Sequence, residues 1–161
     1  MSFAEMFLGE FEHEMQGTRR ILERVPDSLM NWKAHESLNS IGWVASHLVD
    51  TMSWTEVIMK EEAFDIAPPD GPPHETPMIE SASDLVSLFD THFASAKKLI
   101  AAGADESFGE PWTLQQGGQP LFTLPRGAVV KSFLLNHVIH HRAFLVAYLR
   151  MNDVECPGLY E

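Results

Sequence analysis

Four long stretches of this chain place their apolar residues at the spacing of an α-helix, and proline, glycine or polar runs fill the gaps between them. That pattern constrains the fold more than any other feature. The first stretch covers residues 4–24. Phe7, Phe11, Met15, Thr18, Leu22 and Val25 share one stripe, Glu12, Glu14, Arg19, Arg20 and Glu23 fall largely outside it, and Pro26 ends it. The second covers residues 41–60, with Asn39-Ser40 as its cap and Val44, His47, Thr51, Trp54 and Ile58 as its inner face. The third covers residues 84–102, with Ser83 as cap, Gly103 just beyond its end, and a face of Leu85, Leu88, Phe89, His92, Phe93, Ala96 and Leu99. The fourth starts with Pro125 in its first turn and runs to Met151. Its inner stripe takes in Phe133, Leu134, Val138, Phe144, Leu145 and Tyr148.

No long segment alternates as a strand does. A short hairpin around Gly117-Gly118 in "EPWTLQQGGQPLFTLP" is the one β-feature expected. The connector "FDIAPPDGPPHETPM" holds five prolines and cannot be regular structure; whether its residues 67–77 cover a pocket stays open. The expectation is an all-α chain, a four-helix bundle with long connections, in a single domain over residues 1–161.

Composition narrows the function. The chain carries 11 basic and 23 acidic residues, a net charge of −12, which repels nucleic-acid phosphates and anionic lipid. No apolar run reaches the roughly 18 residues of a membrane span, and "MSFAEMFLGEFEHEM" lacks the basic start and unbroken apolar run of a signal peptide. The lone cysteine, Cys156, cannot form an internal disulfide. A cytoplasmic protein with neither nucleic-acid nor membrane partners is expected.

Against this background "LLNHVIHHRAFLVAYLR" is anomalous: it places three histidines within an apolar helical run. His137 and His141 are four residues apart and share a face; His140 is turned by about 100° from His141. A buried neutral imidazole needs a partner, and a divalent metal supplies one to two imidazoles at once. The alternative is hydrogen bonding to side chains or water. A third ligand would come from another helix. His47 in "IGWVASHLVD" is the best candidate and His92 its rival; His13 sits between two glutamates, and His35 and His74 lie in connectors. Asp50, three residues after His47, is a candidate to orient that imidazole or a bound water. Asn136 reads as structural, and Arg142 as a salt-bridge or dimer contact. Trp43, Trp54, Phe133 and Phe144 are candidates for pocket lining or plain core packing.

The segments "IGWVASHLVD" and "LLNHVIHHRAFLVAYLRMNDVECPGLY" together resemble the DinB/YfiT-like family. The shared pattern is a histidine in the second helix, Asn-His-x-x-His-His-Arg in the fourth, then Tyr-Leu-Arg and a Pro-Gly-hydrophobic-Tyr tail. The resemblance covers almost the whole chain. It implies a four-helix bundle, commonly a homodimer, with zinc or nickel held by His47, His137 and His141. Its name refers to DNA damage induction and does not imply DNA binding. Ala143-Phe144 stands where Gly-Gln is frequent, and Glu161 where a glycine often follows the tyrosine.

A three-histidine site leaves a coordination position open. Two reaction classes follow: hydrolysis through a metal-activated water, and transfer or isomerisation through a metal-activated low-molecular-weight thiol. The thiol class is implied by the resemblance alone. The different-class alternative is a non-catalytic, stress-related helical dimer that binds metal or a small ligand. A helical dimer without metal is a third reading.

Overall fold

The computed structural model describes residues 1–160, so Glu161 lies outside the described residues. Helix α1 (Phe3–Leu22) begins with a capping box: the Glu5 amide donates to Ser2 Oγ at 3.1 Å and the Ser2 amide to Glu5 Oε2 at 2.7 Å. The expected stripe is buried, including Phe11, Met15 and Leu22 at 0% exposure. Glu14 corrects the reading: it is buried too, through its contact with Arg142. Helix α2 (Ile41–Lys60) has the expected limits and is capped by Ser40, whose Oγ accepts from the Trp43 amide. Helix α3 (Ala82–Ala102) starts two residues earlier than expected. Its cap is Ser81, which accepts from the Asp84 amide. Leu88 of the expected inner face is exposed, and Ile100 is buried.

The all-α expectation is corrected: the chain is mostly helical with a three-stranded sheet. After the short helix α4 (Asp105–Gly109), β2 (Pro111–Gln116) and β3 (Gln119–Pro125) form the hairpin expected at Gly117-Gly118. Both glycines have positive φ, +63° and +74°, as a two-residue turn with the strands' own twist requires. β1 (Ala63–Asp65) adds to β2 in parallel. Asp65 explains the docking: its carboxylate accepts from the Gly117 and Gly118 amides at 3.1 and 2.6 Å. These two hydrogen bonds fasten the connector after α2 to the hairpin.

The last helical run is continuous from α5 (Arg126–Val129) through a π-helical stretch (Val130–Asn136) to α6 (His137–Met151). Pro125 caps the run from the end of β3, one residue before its first turn. The wider π-turn buries both Leu134 and Leu135 and ends directly before His137. On α6 the inner stripe departs from expectation at two places: Phe144 is 40% exposed, and Arg142 is buried.

The long helices pack with α2 against both α3 and α6, and α1 against the same two. Their apolar faces form one continuous buried cluster with Phe108, Trp112 and Leu114 of the α4–β2 region. None of the helices among the described residues is long and apolar enough to cross a membrane.

Gly42 seats α2 on the connector before it. Its amide donates to the Met30 carbonyl at 2.8 Å, and a Cβ at Gly42 would stand 2.8 Å from that oxygen. The obstacle is backbone already fixed by a hydrogen bond. Overpacking costs about 1–3 kcal/mol, against a helix-propensity gain of about 1 kcal/mol for alanine over glycine. Gly42→Ala is therefore expected to lower the denaturation midpoint. Gly9→Ala on α1, where a Cβ meets nothing within 4 Å, is expected to raise it. Equal shifts in the two variants would refute this account of Gly42.

Candidate metal centre

Helices α2 and α6 bring three imidazoles together. His47 Nε2 lies 3.1 Å from His137 Nε2, and His141 Nε2 lies 2.8 Å from the same atom. One ligand nitrogen from each residue falls within a group spanning 4.8 Å, and no other His, Cys, Asp or Glu among the described residues joins it. Zinc–nitrogen bonds of about 2.0–2.1 Å put tetrahedral ligands about 3.3 Å apart, so small ring movements suffice for all three to hold one ion.

The other ring nitrogen of His47 supports that role. His47 Nδ1 is 2.8 Å from Thr76 Oγ1. That contact leaves His47 Nε2 as the nitrogen turned towards the cluster. Trp43, one turn before His47, stacks on its ring at 4.7 Å and 17°. Hydrogen bonding inside the cluster cannot satisfy all three residues. His137 Nε2 carries either one hydrogen or one lone pair, yet it faces two other nitrogens; a cation accepts all three lone pairs together.

The electrostatics keep the imidazoles neutral. Burial, then repulsion from His141, His137 and His74, brings the His47 pKa down to about 3. Burial, followed by His137 and His140, brings His141 down to about 4. His137 is lowered chiefly by burial as well. Neutral imidazole is the metal-binding form.

The remaining histidines separate clearly. His140 is exposed and packs edge-on against Phe144. The rival ligand His92 does not join the cluster: its Nδ1 is 3.2 Å from the Val49 carbonyl oxygen. His35 bonds Ser37, and His13 lies near the Tyr160 ring. Asp50, expected to orient His47 or a bound water, makes no hydrogen bond to His47 among the described residues. The Asp50 carboxylate, 7% exposed, accepts from Trp54 Nε1 at 3.3 Å and pairs with His74 Nε2 at 2.9 Å. Thr76 takes the orienting place instead.

Thr76 was not among the residues singled out in the sequence, and His74 was noted there only as a connector histidine. Both come from "PPHETP" in the proline-rich connector, where a histidine and a threonine two residues apart were the available signal. The connector does form a wall. His74, Glu75, Thr76 and Met78 line an open cavity of about 520 Å³ with Trp43, His47, Trp54 and Ile66. Trp43 and Trp54 thus line the cavity, and Phe133 packs against both Trp54 and His137.

A mostly helical chain that presents three histidines from two helices beside an aromatic cavity has the layout of a candidate metalloprotein. The sequence profile of the DinB superfamily matches residues 10–145, and the chain belongs to that superfamily. Its fold is similar to that of a DinB-like protein from Bacillus cereus, at 19% identity and a TM-score of 0.73 over 97% of each chain. A DinB-like protein from Bacillus subtilis is similar at 18% identity and a TM-score of 0.68, covering 96% of this chain and 97% of its own. No curated protein matches the chain.

Proposed function

We propose that the protein is a divalent-metal-dependent enzyme on a four-helix-bundle scaffold, with the ion held by His47, His137 and His141. The observation that carries this reading is the convergence of three neutral imidazoles at the edge of a cavity large enough for a small molecule. The all-nitrogen donor set suits zinc or nickel. When bound, such an ion supplies a Lewis acid with an open coordination position. Among the described residues no fourth side chain joins the three ligands, which favours a catalytic over a closed structural site.

The chain's own residues then set the substrate class. Trp43, Trp54, Ile66 and Met78 offer an apolar surface, and the carboxylate of Glu75 disfavours an anionic head group. A small, neutral, apolar-bodied substrate fits best. Hydrolysis of an ester or amide and transfer or isomerisation with a low-molecular-weight thiol are the two reaction classes proposed, acting as a homodimer in the cytoplasm.

The test is metal content by mass spectrometry on tag-free protein purified without chelator, followed by parallel screens with neutral aryl esters and amides and with thiol plus electrophile. About one zinc or nickel per chain is expected, with turnover in one screen that chelation abolishes and metal restores. If zinc, nickel and manganese all fail to bind, the histidines are core polar residues and the proposal falls.

The hydroxyl of Thr76 is the positioning group for His47. Thr76→Val keeps the shape and removes the acceptor, so zinc affinity is expected to fall about 10–100-fold, while Thr76→Ser restores most of it. Competition with a chromogenic chelator reads this directly.

A further inference from the structure

His74, which lines the same cavity, forms a second polar assembly with Asp50 behind it, and no role in holding metal accounts for it. Asp50 is buried in the middle of α2, where an unpaired carboxylate is costly. Its Oδ2 meets two ring nitrogens, Nε2 of His74 and Nε1 of Trp54. His74 is held by more than this contact. Its amide donates to the Ile66 carbonyl at 2.7 Å, and its ring stands edge-on to Trp54 at 5.0 Å and to Phe64 at 5.9 Å. The side chain keeps 28% exposure and lines the cavity that His47 also lines. The Asp50 contact makes Nε2 the N–H donor. Nδ1 therefore carries the lone pair, and it has no hydrogen-bond partner among the described residues.

That arrangement is a carboxylate-oriented imidazole with its basic nitrogen free, the pattern of a general base. We propose that His74, oriented by Asp50, is the proton acceptor of the cavity, taking the proton of a neutral S–H or O–H nucleophile as it enters the open position of the three-histidine site. The inference rests on the metal-dependent reading. The S–H or O–H bond breaks, its electron pair stays on sulfur or oxygen, and a new N–H bond forms at His74 Nδ1. The imidazolium then faces the Asp50 carboxylate, so the assembly becomes a charge pair within hydrogen-bond distance. The other titratable groups on this cavity are Glu75, which also favours the imidazolium, and His47, a proposed ligand of the ion. Asp50 is in this scheme a positioning residue, and His74 the catalytic one.

The experiment counts protons. The zinc-loaded protein is titrated with 2-mercaptoethanol by calorimetry at about pH 7, in buffers of different ionisation enthalpy, for the wild type, His74→Gln and Asp50→Asn. A neutral thiol sheds its proton on entering the site. The wild type is expected to retain it on His74, and each variant to release about one more proton to buffer per thiol bound. In the intact protein, the ¹⁵N signal of His74 Nδ1 is expected to move from the lone-pair to the N–H position on thiol addition, a readout that needs no variant to fold. Normal thiol binding with equal proton release in all three proteins, or an unmoved Nδ1 signal, overturns the His74 assignment and leaves the metal reading standing. Failure of the wild type to hold zinc, nickel or manganese overturns the metal reading and this inference with it, whereas a zinc-loaded protein that binds no thiol overturns this inference and leaves the metal reading standing.

Discussion

The substitution His137→Ala is expected to weaken zinc binding by well over about 100-fold, the upper range for losing a group that only orients a ligand. His137 is singled out because its Nε2 faces both other imidazoles. Removing it leaves His47 and His141 on different helices with no shared nitrogen between them. His47→Ala and His141→Ala are expected to lose affinity to a comparable extent. His140→Ala and His92→Ala are expected to bind zinc as the wild type does: one ring is exposed, and the other bonds a backbone carbonyl on the far side of α2. Chelator competition on the five variants, with circular dichroism to confirm folding, gives the ranking. An unchanged affinity in His137→Ala would remove the three-histidine centre outright. Equal losses in His92→Ala and His137→Ala would instead point to metal bound adventitiously by surface imidazoles.

Much of this centre is legible in the sequence, for a simple reason. The spacing of His137 and His141 is a property of one helix, and helical period fixes it without reference to the rest of the chain. His47 needed one further step, the inward stripe of a second helix. Thr76 and His74 lie in a proline-rich connector with no period, and their placement depends on long-range contacts: the β1–β2 pairing, the hydrogen bonds of Asp65 to the hairpin glycines, and His74 to Ile66. No local pattern encodes those. The sheet was only half visible for the same reason. Two glycines in sequence announce the hairpin turn, but the three residues of β1 are too few to show alternation, and β3 carries no fully buried residue. Asp50 is the opposite case. Its distance of three from His47 suggested a partner, whereas Trp54, one turn further along α2, and His74 claim its carboxylate.

Breaking the ion pair beneath α6 is expected to have the largest effect on stability. Arg142 is 2% exposed and Glu14 9%. Arg142 Nη2 donates to Glu14 Oε2 at 2.5 Å and to the Tyr160 hydroxyl at 2.9 Å. Its Nη1 donates to the Glu14 carbonyl at 2.8 Å. Tyr160 in turn donates to Glu14 Oε2 at 3.2 Å, so the tail is fastened to the same carboxylate. Glu14→Ala would leave a guanidinium buried without a counter-charge, at a cost of about 3–5 kcal/mol. Stabilities of small domains are about 5–15 kcal/mol, so the loss is a large share of the total. The double variant Glu14→Leu/Arg142→Met is expected to recover most of it, because the penalty belongs to the orphaned charge more than to the missing bond. Lys97→Ala, which breaks the half-exposed pair with Glu12, is expected to leave the midpoint nearly unchanged. Arg142 directly follows His141, and the pair ties that turn of α6 to α1. Glu14→Ala should therefore also weaken zinc binding, whereas the double variant, with its packing restored, should hold zinc better. Urea denaturation of the metal-free proteins separates the two effects. A Glu14→Ala midpoint no lower than that of Lys97→Ala would mean that water reaches Arg142 and that the pair anchors nothing.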